Sequence, residues 1–115
     1  MAKGFVWFHN RSDKPTEAAA FYEALLGWSS ADGPPGMTML AQGAQPPFAG
    51  VGAGAGEKGS AGWIPYVEVP DVDAATDKAR SLGARVLEEK TRGPAGEFAI
   101  VADPGGAAVA LWQKG

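Results

Sequence analysis

Two stretches of the chain share one order of apolar and polar positions. Each opens with an apolar, β-favouring run, Phe5–Phe8 in the first half and Trp63–Val69 in the second, followed by a turn containing Asp and Pro. Each then takes up a helical period. Ala18, Phe21, Tyr22 and Leu25 recur at i, i+3, i+4 and i+7, predicting one apolar helix face, with Pro15 in the first turn and Gly27 just past the end. In the second half Val72, Ala75, Ala79 and Leu82 form the stripe, with Asp71 as N-cap and Gly83 as stop. Asp71 and Asp73 sit early and Lys78 and Arg80 late, as the helix dipole favours. Three short strands are expected after each helix: Trp28–Ala31, Met37–Ala41 and Phe48–Ala53, then Arg85–Glu89, Phe98–Ala102 and Ala107–Trp112. Turn residues separate them, among them Asp32-Gly33-Pro34-Pro35 and Asp103-Pro104-Gly105-Gly106.

The reading is β-α-β-β-β twice, an α+β fold of two pseudo-symmetric βαβββ modules. Sliding one half onto the other at an offset of 56 brings Trp7 onto Trp63, Ala18-Ala19 onto Ala74-Ala75 and Leu26-Gly27 onto Leu82-Gly83. A half of ~55 residues buries too little surface to stand comfortably alone, so the modules are expected to share a curved mixed sheet within one domain spanning residues 1–115. Module one is placed at about 3–54, a Gly-rich linker at about 54–62 and module two at about 63–113.

Composition narrows the function. A formal net charge of −3 and a pI near 5.0 argue against a phosphate-binding basic face, so nucleic acid is not an expected partner. The absence of Cys excludes a disulfide scaffold, thiolate metal sites and a cysteine nucleophile. No run is long enough for a secretory signal or a membrane span, and a cytoplasmic location is expected. Gly54-Ala55-Gly56-Glu57-Lys58-Gly59 spells G-x-G-x-x-G but precedes a strand rather than a helix, which argues against dinucleotide binding. Ser60, in KGSAG, lacks the setting of a nucleophile elbow.

Three motifs carry a family resemblance. They are the helix end Ala18-Ala19-Ala20-Phe21-Tyr22-Glu23-Ala24-Leu25-Leu26-Gly27-Trp28, the segment Tyr66-Val67-Glu68-Val69-Pro70-Asp71-Val72-Asp73-Ala74-Ala75, and the turn Ala102-Asp103-Pro104-Gly105-Gly106. Together they cover nearly the whole chain, which resembles the vicinal oxygen chelate superfamily of glyoxalase I, bleomycin-resistance proteins and extradiol dioxygenases. The resemblance implies paired βαβββ modules whose sheets curve around a small-molecule cavity, and a homodimer. It also implies a divalent metal held by His, Glu or Gln on strands of both modules and acting as a Lewis acid.

Counting from the matched helices places the metal-ligand positions of that family at Trp7 (or Phe8), Ile64 (or Trp63 or Pro65), Ala110, and a residue within 48–54. None offers a metal donor, so no metal and no other cofactor is expected. His9, Glu68 and Glu97 are the remaining polar candidates, and His9 and Glu68 are the weak catalytic ones, as general bases. The predicted ligand-binding residues are Trp7, His9, Trp63, Ile64, Tyr66, Phe98, Ala110 and Trp112, an apolar slot suited to a flat ligand. The function expected is metal-free binding of a largely apolar or aromatic small molecule. Two alternatives stay open: a glyoxalase-like lyase or isomerase, or dioxygenase-like enzyme, using His9 or Glu68, and a non-catalytic dimerisation scaffold.

Overall fold

The computed structural model describes residues 3–54 and 62–115. The Gly-rich linker, with most of the G-x-G-x-x-G spelling and Ser60, lies outside the described residues. The elements run β1 (Phe5–Arg11), α1 (Pro15–Leu26), β2 (Ser29–Asp32), β3 (Met37–Ala41), β4 (Ala49–Gly52), β5 (Gly62–Glu68), α2 (Val72–Ser81), β6 (Arg85–Gly93), β7 (Gly96–Ala102) and β8 (Ala108–Lys114). This is the expected α+β class, with β-α-β-β-β twice. The chain divides into two units, Trp7–Trp63 and Ile64–Gly115, the second including the N-terminal residues up to Val6.

In the first module the strand order is β2-β3-β4-β1, with β1 parallel to β4 and the other pairs antiparallel. Leu40, Ala49 and Val51 form the buried core, and Ala18, Tyr22, Trp28 and Phe48 pack against it. Helix α1 begins at Pro15, whose missing N–H is one the first turn would leave unbonded, and ends at Gly27 with φ 72°, where the Gly27 N–H donates to the Glu23 carbonyl. The expected face of α1 is only half right. Ala18 and Tyr22 face the sheet with Ala19, which is buried, whereas Phe21 and Leu25 are 55 % and 62 % exposed. Small side chains let the helix lie close to the strands, and this shifts the buried stripe by one position.

The second module repeats the topology as β5-β8-β7-β6, with β5 parallel to β8. Asp71 caps α2, its Oδ1 accepting from the Ala74 N–H at 3.1 Å. Val72 is buried and so is Thr76, a residue the apolar stripe did not include; Leu82, which it did, is 69 % exposed. Thr76 satisfies its hydroxyl by donating to the Val72 carbonyl one turn back, at 2.7 Å. Exposed pairs fasten α2 to β6: Lys90 to Asp73 at 2.9 Å and Arg80 to Glu89 at 2.8 Å. The Asp73 hydrogen bond holds the Lys90 ammonium pKa above its ordinary value.

The internal repeat has a one-residue slip. Val72 lies 57 positions after Pro15, while Gly83 lies 56 after Gly27, so α2 is one residue shorter between its start and its terminal glycine. An alignment anchored on the two Leu-Gly pairs therefore puts every upstream strand residue on the wrong face. The matched tryptophans Trp7 and Trp63 are a case of this.

Candidate functional site

In each module the helix covers one face of the strands. In the second module the side chains of one face follow from register. Tyr66 pairs with Ala110 and Glu68 with Trp112 across β5 and β8; Trp112 pairs with Phe98 and Ala110 with Ile100 across β8 and β7. Paired residues point to the same side, and alternation adds Ile64. Helix α2 lies on the opposite side, where the Val72 N–H donates to Gln113 Oε1 at 2.9 Å. At the base of this face lie Ile64, Ile100 and Ala110, all at most 1 % exposed and so closed to solvent. Above them stand the half-buried rings of Phe98 and Trp112 and the nearly buried Tyr66. Tyr66 and Phe98 pack with ring centroids 5.9 Å apart and planes tilted by 47°. The indole N–H of Trp112 donates to the Ala95 carbonyl at 3.3 Å, which fixes the ring beneath the β6–β7 turn. Glu68 stands half-buried at the end of the same row as Trp112 and Phe98.

In the first module Phe8 pairs with Ala49 and Asn10 with Val51, so Phe8 and Asn10 look towards α1 and Trp7, His9 and Arg11 look away from it. Gly50 and Gly52 share that second face, as do Met37 and Met39, which pair with them on β3. The glycines leave room for their neighbours. A Cβ on Gly50 would stand 2.7 Å from Met37 Sδ and 3.2 Å from Trp7 Cζ2, and one on Gly52 would stand 3.3 Å from His9 Nε2. The Nε2 atom of His9 is buried. His9 also lies inside β1, which continues to Arg11, beyond the Phe5–Phe8 run expected for that strand. The glycines and methionines were missed in the sequence, although Met37-x-Met39 and Gly50-x-Gly52 both repeat with the period of a strand.

Register thus gathers Ile64, Tyr66, Phe98, Ala110 and Trp112 on one face of the second module, and Trp7 and His9 on one face of the first. Trp63 is placed elsewhere. Its indole N–H donates to the Tyr22 hydroxyl on α1 at 2.9 Å, and the two rings meet edge-on with centroids 5.4 Å apart. Tyr22 in turn stacks on Trp28, which meets Phe48 edge-on. Trp63 therefore belongs to the helix packing, for the reason given by the one-residue slip.

The metal implied by the family does not fit these residues. The four ligand positions are filled by Trp7, Ile64, Ala110 and, on the same face of β4, Gly50 or Gly52. An indole, two alkyl side chains and a glycine supply no lone pair for a divalent cation. Among the described residues no three or more of His, Cys, Asp and Glu come together in a way that could hold one.

Comparison with known proteins agrees with the fold. The glyoxalase-like domain family matches residues 7–112. Over 115 aligned residues the chain is 36 % identical to the candidate glyoxylase CFP32 of Mycobacterium bovis and of Mycobacterium tuberculosis, covering 93 % of this chain and 44 % of theirs. It is 30 % identical over 127 aligned residues to the anthracycline biosynthesis protein DnrV of Streptomyces peucetius, covering 95 % of this chain and 46 % of that one. The chain therefore spans about half the length of the curated relatives it matches. Among solved structures, a glyoxalase/bleomycin resistance protein/dioxygenase superfamily member from Vibrio splendidus superposes with a TM-score of 0.63 at 12 % identity, covering 99 % of this chain and 100 % of that one. With its repeated βαβββ topology and this match across nearly its whole length, the chain belongs to the glyoxalase-like domain family of the vicinal oxygen chelate superfamily.

Proposed function

We propose that the protein binds a small, flat, largely apolar or aromatic molecule without the help of a chelated divalent metal. The observation that carries this reading is the face of the second module opposite α2, where the half-buried rings of Phe98 and Trp112 stand with Tyr66 over buried Ile64, Ile100 and Ala110. Apolar floors with a few polar groups at the edge are the usual make-up of small-molecule sites. The comparable face of the first module, with Trp7, Met37 and His9, is a second surface of the same kind. DnrV, named for the biosynthesis of an aromatic compound class, lends support to an aromatic ligand. A homodimer is proposed with it, supported by the exposed apolar side chains of Phe21 and Leu25 on α1. Sedimentation equilibrium should then give the mass of two chains, and the mass of one would count against it. A cytoplasmic setting accords with the lack of Cys, and no helix among the described residues is long and apolar enough to cross a membrane.

The experiment is titration with a flat aromatic probe, 2-naphthalenemethanol, in buffer containing EDTA, followed by calorimetry. Saturable binding at one site per chain supports the reading, and heat only from dilution overturns it. The same titration on His9→Ala separates binding from catalysis. Packing over Gly52 is a minor contribution, so affinity should stay within about threefold, a change below about 1 kcal/mol. The enzyme alternative, with His9 as base, requires instead a turnover that this substitution removes.

A further inference from the structure

We propose that the aromatic face of the second module selects ligands that carry an organic cation, a protonated amine or quaternary ammonium beside a flat ring, and that Glu68 selects them. This rests on the reading of that face as the ligand site and adds the charge of the ligand to it.

The other acidic side chains of this module serve the fold. Asp71 caps α2, Asp73 pairs with Lys90, and Asp77 and Glu89 both pair with Arg80. Glu88, whose pairing with Ile100 puts a second half-buried carboxylate on this face, accepts from the Thr91 hydroxyl at 3.2 Å, and Asp103 accepts from the Gly105 and Ala107 N–H groups to close the β7–β8 turn. Glu97 points to the α2 side of β7 and acts on Lys90. Glu68 differs from all of these, because its carboxylate makes no hydrogen bond or ion pair among the described residues. Yet it is half-buried, in one row with Trp112 and Phe98 and one strand step from Tyr66. A half-buried carboxylate beside apolar groups is favoured where a cation or donor meets it. Two basic residues share this face, both exposed and neither paired with Glu68: Arg85 on β6, which pairs with Ala102 two rows along, and Lys114 on β8, which pairs with Gly96 one row along.

The surroundings suit a cation of a particular kind. Aromatic faces attract ammonium groups through the ring quadrupole, and the attraction grows where water is excluded. A carboxylate at the edge of such rings adds a charge-assisted hydrogen bond for a protonated amine. A flat apolar body against the half-buried rings of Phe98 and Trp112 would place its ammonium substituent at the Glu68 end of that row.

Two probes of equal shape test this at pH 7 by calorimetry on the full chain: 2-naphthylmethylammonium and the neutral 2-naphthalenemethanol. The cation should bind about tenfold more tightly than the alcohol. Glu68→Gln, which keeps shape and removes charge, should bring the two within about threefold of each other by weakening the cation alone. Equal binding of both probes to the unaltered chain overturns this proposal while leaving the aromatic site standing. A cation preference that survives Glu68→Gln overturns the role of Glu68, and with it the proposal. If neither probe binds, the proposal falls together with the reading on which it rests.

Discussion

Trp112→Ala is expected to weaken a flat aromatic ligand by about 10- to 100-fold, equivalent to losing one large buried aromatic contact of about 1.5–3 kcal/mol. Trp112 is the broadest wall of the second-module face and lies between Glu68 on β5 and Phe98 on β7 in register. Its removal also deletes the hydrogen bond to the Ala95 carbonyl. A net bond of that type contributes about 1 kcal/mol, so the protein should remain folded. Trp112→Phe tells the two effects apart. It restores an aromatic surface without the N–H donor, and should recover most of the affinity while keeping the stability loss. Calorimetric affinity of 2-naphthalenemethanol and urea midpoints for the three proteins check this, and unchanged affinity in Trp112→Ala would remove that residue from the site.

Gly96→Ala is expected to destabilise the fold by about 3 kcal/mol or more, through strain and overpacking together. Gly96 holds φ at 143°, a conformation that side chains rarely adopt, at the start of β7 where it pairs with Lys114. A Cβ there would run into the Gln113 carbonyl oxygen and stand 2.6 Å from the Gly115 nitrogen, both backbone atoms of the neighbouring strand and its end. No rotamer change relieves that contact, so β7 and β8 must separate locally. The consequence reaches the site, because Ala95, the preceding residue, supplies the carbonyl that holds the Trp112 indole. Urea denaturation should show a large loss in midpoint at unchanged slope, and a midpoint shift worth less than about 1 kcal/mol would contradict the packing described.

Much of this was legible in the residues. Helix α1 could be bounded because Pro15 and Gly27 are the residue types its two ends require, and α2 because Asp71 and Gly83 are. Strand β3 could be placed at Met37–Ala41, since turn residues bound it on both sides. Faces were harder. Phe21 and Leu25 obey helical spacing, yet the strands contact Ala18, Ala19 and Tyr22, because close packing of small residues outweighs the burial of larger ones. In the second module Ile64, Tyr66, Phe98, Ala110 and Trp112 share a face because strand alternation is strict, and that was readable once the strands were. Trp63 misled for the same reason: a shift of one residue moves a strand side chain to the opposite side. The placement of Met37 and Met39 beside Trp7 and His9 was invisible in the sequence, since only the register of β3 on β4 brings them to Gly50 and Gly52.

The residues at the metal positions that the resemblance implies do not suit the chelation for which the superfamily is named. Fold and function separate readily in such folds, so the activity of a relative does not transfer with its topology. On the family resemblance, Trp7, Ile64, Ala110 and the glycines of β4 fall at the positions implied for metal ligands, and none of them supplies a lone pair. A ligand of this protein would then be held by apolar and aromatic surface and not by a chelated cation. Elemental analysis decides between the two: untagged protein, purified without chelators, is incubated in turn with Mn²⁺, Fe²⁺, Ni²⁺ and Zn²⁺ and then gel-filtered. No metal should be retained in stoichiometric amount from any of the four, and binding of 2-naphthalenemethanol should be unaffected by their presence. One tightly held ion per chain, or aromatic binding that emerges only when a metal is supplied, would show instead that this chain holds its ligand through a cation.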